Sequence, residues 1–168
     1  MMIKPMVGLD IDGVIADFTG AFFEKFALGC PTTVKDYYDP RFKEHFGKIV
    51  YDDDFWLSIK PLVRAKDIKF PVTFYLTSRP TITETATRKW LRDNKFPKLP
   101  LIYSDDKHKV LKSFGCSFFI EDCFDNYKRI NKAGIKCLLV DTPYNEKYDV
   151  EKLKSVLCFN ELYKNYIQ

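Results

Sequence analysis

The chain lacks the features that would exclude a compact globular fold. Its 168 residues contain no long apolar run and no low-complexity tract, which argues against a membrane-spanning or a disordered protein. Residues Met1–Met6 carry one lysine and lead into a short apolar segment that ends in acidic residues, unlike a secretory signal. We therefore expect a cytoplasmic protein with one domain, or with one core that carries a small insertion.

The sequence also lacks Cys-x-x-Cys pairs and several common catalytic motifs. The five cysteines include no Cys-x-x-Cys pair, so free thiols are expected rather than a zinc site. The absence of Gly-x-x-x-x-Gly-Lys, Gly-x-Ser-x-Gly and His-Glu-x-x-His leaves P-loop, serine-hydrolase and zincin chemistry without support. A formal net charge of +4 suits anionic ligands, but the lysines are spread along the chain. We expect no membrane partner and no stable nucleic-acid partner, and a homodimer is left open.

Short apolar segments alternate with helical patterns along most of the chain. The first segment, Met6–Ile11, reads as a buried strand, and the others are Val72–Leu76, Leu99–Tyr103, Ser117–Ile120 and Lys136–Val140. Helices are predicted over Thr83–Asn94, Lys107–Phe114 and about residues 126–133, the last two closed by Gly115 and Gly134. This alternation predicts the α/β class, with a Rossmann-like parallel sheet and helices on both of its faces.

The segment from residue 18 to residue 70 does not follow this alternation. It holds 12 of the 27 aromatic residues, together with Pro31, Pro40 and Pro61. We interpret it as a small helical cap inserted after the first strand, so that residues 1–17 and 71–168 form the α/β core. The alternative is an irregular helical part of the core without a role in recognition, since aromatic residues pack more often than they recognise ligands.

Acidic residues follow two of the predicted strands. Asp10-Ile-Asp12-Gly13 follows the first strand, and Glu121-Asp122 follows the fourth. Ligands of open parallel sheets bind beyond the carboxyl ends of the strands, and carboxylates held close together need a cation or a proton. Mg²⁺ prefers oxygen ligands, so Asp10, the backbone carbonyl of Asp12 and Asp122 would suffice, with Glu121 holding a metal-bound water. Turn capping is the alternative role for the Asp-x-Asp pair.

Groups that suit a phosphoryl oxygen are predicted at the same edge of the sheet. Thr77-Ser78 follows the second strand, and Lys107 and Lys109 begin a helix; hydroxyl donors and a cation are what phosphoryl oxygens need. Lys107 lies three, four and seven residues before the apolar residues of its helix, which places it on the face toward the sheet, whereas Lys109 points elsewhere. We therefore select Lys107. The alternatives are a helix cap for Thr77-Ser78 and a solvated lysine.

These motifs resemble those of the haloacid dehalogenase-like phosphohydrolase superfamily, in the same order and over about residues 7–143. Asp10–Val14, Leu76–Pro80, Ile120–Asp122 and Ala133–Lys136 look most like the 5'(3')-deoxyribonucleotidases and related nucleotidases. The resemblance implies an Mg²⁺-dependent phosphatase of the 5'-nucleotidase type, acting on a small phosphorylated substrate such as a nucleoside or deoxynucleoside monophosphate. The fourth motif varies in spacing within the superfamily, so Asp125 could replace Asp122 or Glu121 at the metal.

The resemblance also implies a role for each matching residue. Asp10 would attack phosphorus and form an aspartyl-phosphate. Asp12 would protonate the leaving oxygen and then deprotonate the attacking water. Thr77, Ser78 and Lys107 would hold the phosphoryl oxygens, while Mg²⁺ neutralises charge between the nucleophile and the substrate.

Base stacking on aromatic residues is the hypothesis for substrate recognition. The candidate substrate-binding residues are Phe18, Phe22, Phe55, Trp56 and Arg79. Two other functions stay open: the same machinery could act on a sugar phosphate or a nucleic-acid end, or the chain could be a non-catalytic nucleotide-binding module. The preferred base and sugar, and the choice between a 5' and a 3' phosphate, are also left open.

Overall fold

Six parallel strands form one sheet in the computed structural model, which describes residues 4–168. The strands are β1 Val7–Leu9, β2 Phe74–Thr77, β3 Leu101–Tyr103, β4 Phe118–Glu121, β5 Lys136–Val140 and β6 Lys152–Leu153. Their order across the sheet is β3-β2-β1-β4-β5-β6, and all neighbouring pairs are parallel. The chain changes direction across the sheet between β1 and β4, and ligands of doubly wound folds bind at such a switch point.

Helices connect the strands and build the segment between β1 and β2. The α-helices are α1 Phe18–Lys25, α2 Pro40–His45, α3 Asp53–Ser58, α4 Glu84–Asp93, α5 Lys107–Phe114, α6 Phe124–Lys132 and α7 Phe159–Ile167. Short 3₁₀ turns occupy Pro31–Thr33, Phe46–Lys48, Ala65–Asp67, Thr81–Thr83 and Val156–Cys158. Over residues 4–168, each helix is too short or too polar to cross a bilayer.

Side chains of the strands point alternately into two apolar clusters. On β2, Tyr75 belongs to the cluster that also contains residues of α4 and α7, whereas Phe74 and Leu76 belong to the cluster with residues of α5 and α6. Successive side chains of a strand point to opposite faces of the sheet, so these helices cover both faces. The predicted α/β class is confirmed.

The predicted elements agree with the structure to within one or two residues at their ends. Gly115 and Gly134 adopt positive φ angles of 64° and 85° where α5 and α6 end, as predicted. Strand β6 was not predicted, because its two residues make no recognisable apolar run. Phe114, the apolar residue seven positions after Lys107, is 45% exposed although helical phase places it toward the sheet, since it is the last residue of α5; its ring lies nearly perpendicular to the Phe74 ring.

Residues 18–70 form α1, α2, α3 and three of the 3₁₀ turns. The Asp17 side chain accepts a hydrogen bond from the Gly20 N–H and so caps the start of α1. Trp90 Nε1 donates to the Ile59 carbonyl at 2.7 Å, which joins α4 to this segment. The buried aromatic residues of the segment share one apolar cluster with residues of α4 and α7. The division into core and cap stays a prediction, and residues 1–3 of the predicted core lie outside the described residues.

Candidate active site

The carboxyl ends of three adjacent strands bring the predicted site residues to one edge of the sheet. Asp10 follows β1, Thr77 closes β2 and Glu121 closes β4. Because β1 pairs in parallel with both β2 and β4, these side chains lie side by side. The first residue of α5, Lys107, reaches the same place from a fourth segment.

Lys107 lies between two of the acidic residues. Its Nζ is 3.0 Å from Asp10 Oδ2 and 2.9 Å from Glu121 Oε2, and the residue is 2% exposed. Burial alone would lower the pKa of Lys107, but the Asp10 and Glu121 carboxylates outweigh it and raise that pKa. Lys109, by contrast, pairs with Asp106 at the surface. The two lysines therefore point in different directions from α5, as their spacing in the sequence predicts.

Glu121 is fully buried, and protein groups occupy both of its carboxylate oxygens. Oε1 accepts the backbone N–H groups of Asp122 and Cys123, each at 3.0 Å, while Oε2 accepts from Lys107 and, at 3.4 Å, from Asn126. Burial favours the neutral acid, yet Lys107 and these donors prevail and lower the pKa of Glu121. The contacts support a role in holding Lys107, and the metal-bound water on this side chain stays a prediction.

Asp10, Glu121 and Asp122 form a buried acidic cluster. One carboxylate oxygen of each lies within 4.8 Å of the others. Burial raises the pKa of Asp10 well above its ordinary value, with Lys107 opposing this shift and Glu121 and Asp12 adding to it. Burial, followed by repulsion from Glu121 and Asp10, also raises the pKa of Asp122. Both carboxyl groups would therefore gain from a nearby cation.

The cluster fits a hard divalent cation. Three carboxylates and the single ammonium of Lys107 leave a formal excess of two negative charges, which one divalent ion neutralises. Asp122 Oδ1 is buried and has no hydrogen-bond partner among the described residues, and a bound cation would satisfy it. Asp125, the alternative ligand, lies outside the cluster and pairs with Lys128.

Asp12 is held by Arg79. Arg79 Nε donates to Asp12 Oδ2 at 2.8 Å, and Nη2 donates to Oδ1 at 2.7 Å, a bidentate pair that fixes the carboxylate in orientation. Arg79 is itself buried: Nη1 donates to the Thr87 hydroxyl at 3.1 Å, and its guanidinium lies 4.8 Å from the centre of the Trp56 ring. Arg79, predicted as a substrate residue, therefore contacts Asp12 in this structure.

Thr77 and Ser78 lie at the end of β2, as predicted. The Thr77 hydroxyl oxygen accepts the Arg79 N–H at 3.2 Å, which leaves its own O–H free to donate, and Ser78 Oγ donates to the Ser104 carbonyl at 3.3 Å. The N-cap position of α4 belongs to Thr83. Capping of this helix is therefore excluded as the role of Thr77 and Ser78.

Two adjoining cavities open at this edge of the sheet. The smaller one, of about 110 Å³, is called the polar cavity here because its lining includes Asp10, Asp12, Thr77, Ser78, Arg79 and Lys107; four aromatic residues complete the lining, Phe18, Tyr37, Phe46 and Trp56. The larger one, of about 200 Å³, has an aromatic lining of Phe18, Tyr37, Phe42, Phe46 and Tyr144, and it also reaches Asp122. Asp12, Phe18, Tyr37 and Phe46 line both cavities, so the polar and aromatic parts are continuous.

The predicted aromatic residues fall into two groups. Phe18 lines both cavities and Trp56 lines the smaller one. Phe22 and Phe55 line neither: both are buried in the apolar cluster, where Phe22 packs 5.0 Å from Phe42. Phe22 lies one turn after Phe18 on α1 and so extends deeper into the core. Stacking of a substrate on any of these rings stays a prediction.

Several residues of the site were not predicted from the sequence, among them Phe42 of the larger cavity. Tyr37 and Phe46 line both cavities, while Tyr144 and Asn145 hydrogen-bond to Asp122 from the loop after β5. Aromatic enrichment pointed to the segment that contains Tyr37 and Phe46, but no periodicity distinguished them from packed neighbours. Tyr144 and Asn145 gave no motif signal, although they lie four and five residues after the end of β5, a strand of the same parallel sheet.

Solved structures identify the class of fold. An L-2-haloacid dehalogenase has a TM-score of 0.59 at 11% identity, covering 98% of this chain and 100% of that one. A haloacid dehalogenase-superfamily hydrolase from Geobacter sulfurreducens has a TM-score of 0.56 at 16% identity, covering 95% and 96% of the two chains. The chain therefore has the haloacid dehalogenase fold, which is the fold that the resemblance of its motifs implies.

Curated relatives match over a shorter length. A nucleotidase of Clostridium acetobutylicum is 36% identical over 92 residues, which covers 49% of this chain and 48% of that protein. A second relative, from Oceanobacillus iheyensis, is 26% identical over 77 residues. The chain spans less than half the length of these relatives, 48% and 41% respectively. No protein-family model matches the chain.

Proposed function

We propose that this protein hydrolyses phosphate monoesters with Asp10 as its nucleophile. The observation that carries the proposal is the position of Asp10: it follows β1 at the switch point of the sheet, lies 3.0 Å from Lys107 and lines the polar cavity with Asp12. A carboxylate oxygen of Asp10 attacks phosphorus, the ester P–O bond breaks, and the leaving oxygen takes a proton from Asp12. A water then attacks phosphorus and gives its proton to Asp12, which frees phosphate and restores Asp10.

The other polar residues of the cavity hold the transferring group. Lys107 supplies a fixed positive charge, and Thr77 and Ser78 supply hydroxyl groups at the same wall of the cavity. Glu121 keeps Lys107 in place through the 2.9 Å contact with its Nζ. Because Lys107 is buried and paired on two sides, it needs no rearrangement to meet the charge that develops on the phosphoryl oxygens.

Mg²⁺ is the proposed cofactor. Asp10, Asp122 and the backbone carbonyl of Asp12 would hold it, in keeping with the charge of the acidic cluster and the unpartnered Oδ1 of Asp122. When bound, the ion would neutralise charge between the nucleophile and the phosphate. Glu121 acts through Lys107 in this proposal, since its oxygens are already occupied.

The proposed substrate is a nucleoside or deoxynucleoside monophosphate. The polar cavity would take the phosphate, and the adjoining space between Phe18, Tyr37 and Phe46 offers rings to an aromatic base. The name of the nucleotidase from C. acetobutylicum supports the same assignment. A sugar phosphate or a phosphorylated nucleic-acid end would use the polar cavity alone.

A phosphate-release panel tests the function. Nucleoside monophosphates, sugar phosphates and a 3'-phosphorylated oligonucleotide are compared in Mg²⁺ and in EDTA, for the wild type and Asp10→Asn. We expect release with Mg²⁺, strongest for the mononucleotides, and none for Asp10→Asn. Activity that survives in Asp10→Asn would refute the mechanism, and a wild type inactive on every substrate would favour the non-catalytic module.

The matched control for this panel is Asp53→Asn. Asp53 is an exposed carboxylate at the start of α3 and lies outside the acidic cluster. It should retain wild-type rates, because removing one exposed charge changes neither the nucleophile nor the polar cavity. Equal losses in the two variants would point to a general charge effect instead of loss of a nucleophile.

A further inference from the structure

Tyr144 contacts the proposed metal ligand Asp122 from the loop after β5. Its hydroxyl donates a hydrogen bond to Asp122 Oδ2, and Tyr144 is only 7% exposed. Asp122 thus has one oxygen bound to a protein group, while its other oxygen, Oδ1, has no partner among residues 4–168. A carboxylate whose two oxygens differ in this way cannot turn freely, because rotation would break the bond to Tyr144.

Asn145 fixes the backbone of the same residue. Its side-chain Nδ2 donates to the Asp122 carbonyl at 2.9 Å and to the Val140 carbonyl at 2.7 Å, and its Oδ1 accepts the Thr142 N–H at 3.1 Å. This one amide therefore ties the end of β5, its following loop and the residue after β4 together. Both ends of Asp122, the carboxylate and the main chain, are held from this loop.

Gly13 packs against the Asp122 carboxylate. It has a φ angle of +75°, and a Cβ at this position would overlap Asp122 Oδ2 and lie 2.7 Å from the Tyr144 hydroxyl. Both constraints favour glycine, the backbone because φ is positive and the packing because no side chain fits. The turn after β1 thus packs directly against the pair of Asp122 and Tyr144.

We propose that Tyr144 and Asn145 are positioning residues that aim Asp122 Oδ1 at a bound divalent cation. The inference rests on the metal site of the proposed function. Tyr144 occupies Oδ2, Asn145 holds the main chain, and Oδ1, which has no hydrogen-bond partner among residues 4–168, is left for the ion. Loss of a group that orients a metal ligand in this manner weakens metal affinity about 10–100-fold.

Metal affinity in the absence of substrate tests the inference. Isothermal titration of the full chain with Mg²⁺, and with Mn²⁺ as a second probe, is compared for the wild type, Tyr144→Phe and Asn145→Ser. We expect the dissociation constant to rise about 10–100-fold in each variant. The Phe substitution keeps the ring and its packing, so only the hydroxyl contact to Asp122 is removed.

Tyr148→Phe is the matched control. Tyr148 lies on the same stretch of chain after β5, but its ring stacks on Phe124, 3.6 Å between ring centres, and among residues 4–168 Asp122 accepts its side-chain hydrogen bond from Tyr144 and not from Tyr148. Its metal affinity should equal that of the wild type. Far-UV circular dichroism and the thermal midpoint in EDTA establish that each variant is folded, and Asn145→Ser decides the outcome if Tyr144→Phe fails to fold.

The outcomes separate this inference from the proposed function. Unchanged affinity in both Tyr144→Phe and Asn145→Ser, with normal binding by the wild type, would overturn the positioning role alone. A wild type that binds neither Mg²⁺ nor Mn²⁺ would overturn the metal site and the positioning role together. A loss of affinity confined to the Tyr144 and Asn145 variants, with Tyr148→Phe unaffected, supports the inference.

Discussion

The strand-end edge and the segment of residues 18–70 line the same cavities by different physical means. At the edge, each important side chain has directional partners: Lys107 has two carboxylates, and Arg79 has Asp12, Thr87 and the Trp56 ring. In the segment, rings such as Phe46 pack mainly through apolar contact, which is not directional. Polar side chains at the edge are thus fixed in position. The aromatic wall, by which we mean the rings of residues 18–70 that line the two cavities, supplies apolar surface.

The two regions meet beside the proposed metal site. The Tyr37 ring lies edge-on to Tyr144, 5.8 Å between ring centres, and two ion pairs, Lys35 with Glu146 and Lys147 with Asp36, cross from the segment to the loop after β5. Both ion pairs are exposed, so they contribute little to stability. The comparison leads to a simple expectation: changes at the edge should affect every substrate, and changes in the aromatic wall should affect only some.

The largest effect is expected for Lys107→Met. The change removes the cation that faces the phosphoryl oxygens, so kcat/KM should fall about 10²–10³-fold on all phosphate esters. It also leaves Asp10 and Glu121 buried without their partner, which should lower the free energy of unfolding by about 3–5 kcal/mol. Phosphate release and urea unfolding measure the two effects.

Lys109→Met is the control for that variant. Lys109 is two residues along the same helix, is exposed and pairs with Asp106. We expect wild-type activity and stability. If Lys107→Met lost activity on nucleotides but kept it on sugar phosphates, the edge would contribute to substrate selectivity. That result would contradict the expectation that changes at the edge affect every substrate.

A smaller effect is expected for Arg79→Met. Without its two hydrogen bonds from Arg79, Asp12 loses its fixed orientation, and proton transfer to the leaving oxygen should become less effective. Activity on nucleoside monophosphates should fall on the order of 10²-fold. The comparison uses kcat/KM, which includes formation of the aspartyl-phosphate but not its later hydrolysis. For p-nitrophenyl phosphate, whose leaving group needs no proton, kcat/KM should therefore fall about tenfold or less. Steady-state kinetics on the two substrates measures this difference.

Arg88→Met provides the matched control, because Arg88 lies on α4 at the surface and pairs with Glu84. It should leave both substrates unaffected. An Arg79→Met variant that lost equal factors on both substrates would argue against a role in positioning Asp12. Such a result would instead assign Arg79 to the substrate, as the sequence analysis predicts.

The smallest effect is expected for Phe46→Ala, and it should depend on the substrate. One ring that packs against a base contributes about 0.5–1.5 kcal/mol, so kcat/KM for a deoxynucleoside monophosphate should fall up to about tenfold. Ribose 5-phosphate, which has no base, should be hydrolysed as by the wild type. The ratio of the two kcat/KM values is the measurement.

Phe26→Ala serves as the control, since Phe26 is a half-buried ring of the same segment that lines neither cavity. It should preserve the substrate ratio even if it lowers stability. Equal losses on both substrates in Phe46→Ala would show that the ring supports the fold rather than the choice of substrate, in line with the alternative that residues 18–70 are simply part of the core.

The polar edge was predictable because its signals are local. Asp10 and Asp12 directly follow an apolar strand, Thr77 closes another, and helical phase alone distinguished Lys107 from Lys109. Parallel strands bring such positions together wherever the sheet forms. The aromatic residues of the cavities were predictable only in part: Phe18 and Trp56 line them as predicted, whereas Phe22 and Phe55 do not. The phenylalanines of the segment have the same apolar character, whether they pack inward like Phe22 or line a cavity like Phe46.

The sequence by itself determined the class of fold, the order of the main elements and the identity of the acidic, hydroxyl and lysine groups at the strand ends. Tertiary structure alone decided which partners these groups have: Arg79 with Asp12, Glu121 with Lys107, and Tyr144 with Asp122. The physical reason is the separation along the chain between the interacting residues. Periodicity and turn signals arise between residues close in the chain, whereas these pairs join residues from 14 to 67 positions apart, and only the packed sheet brings them into contact.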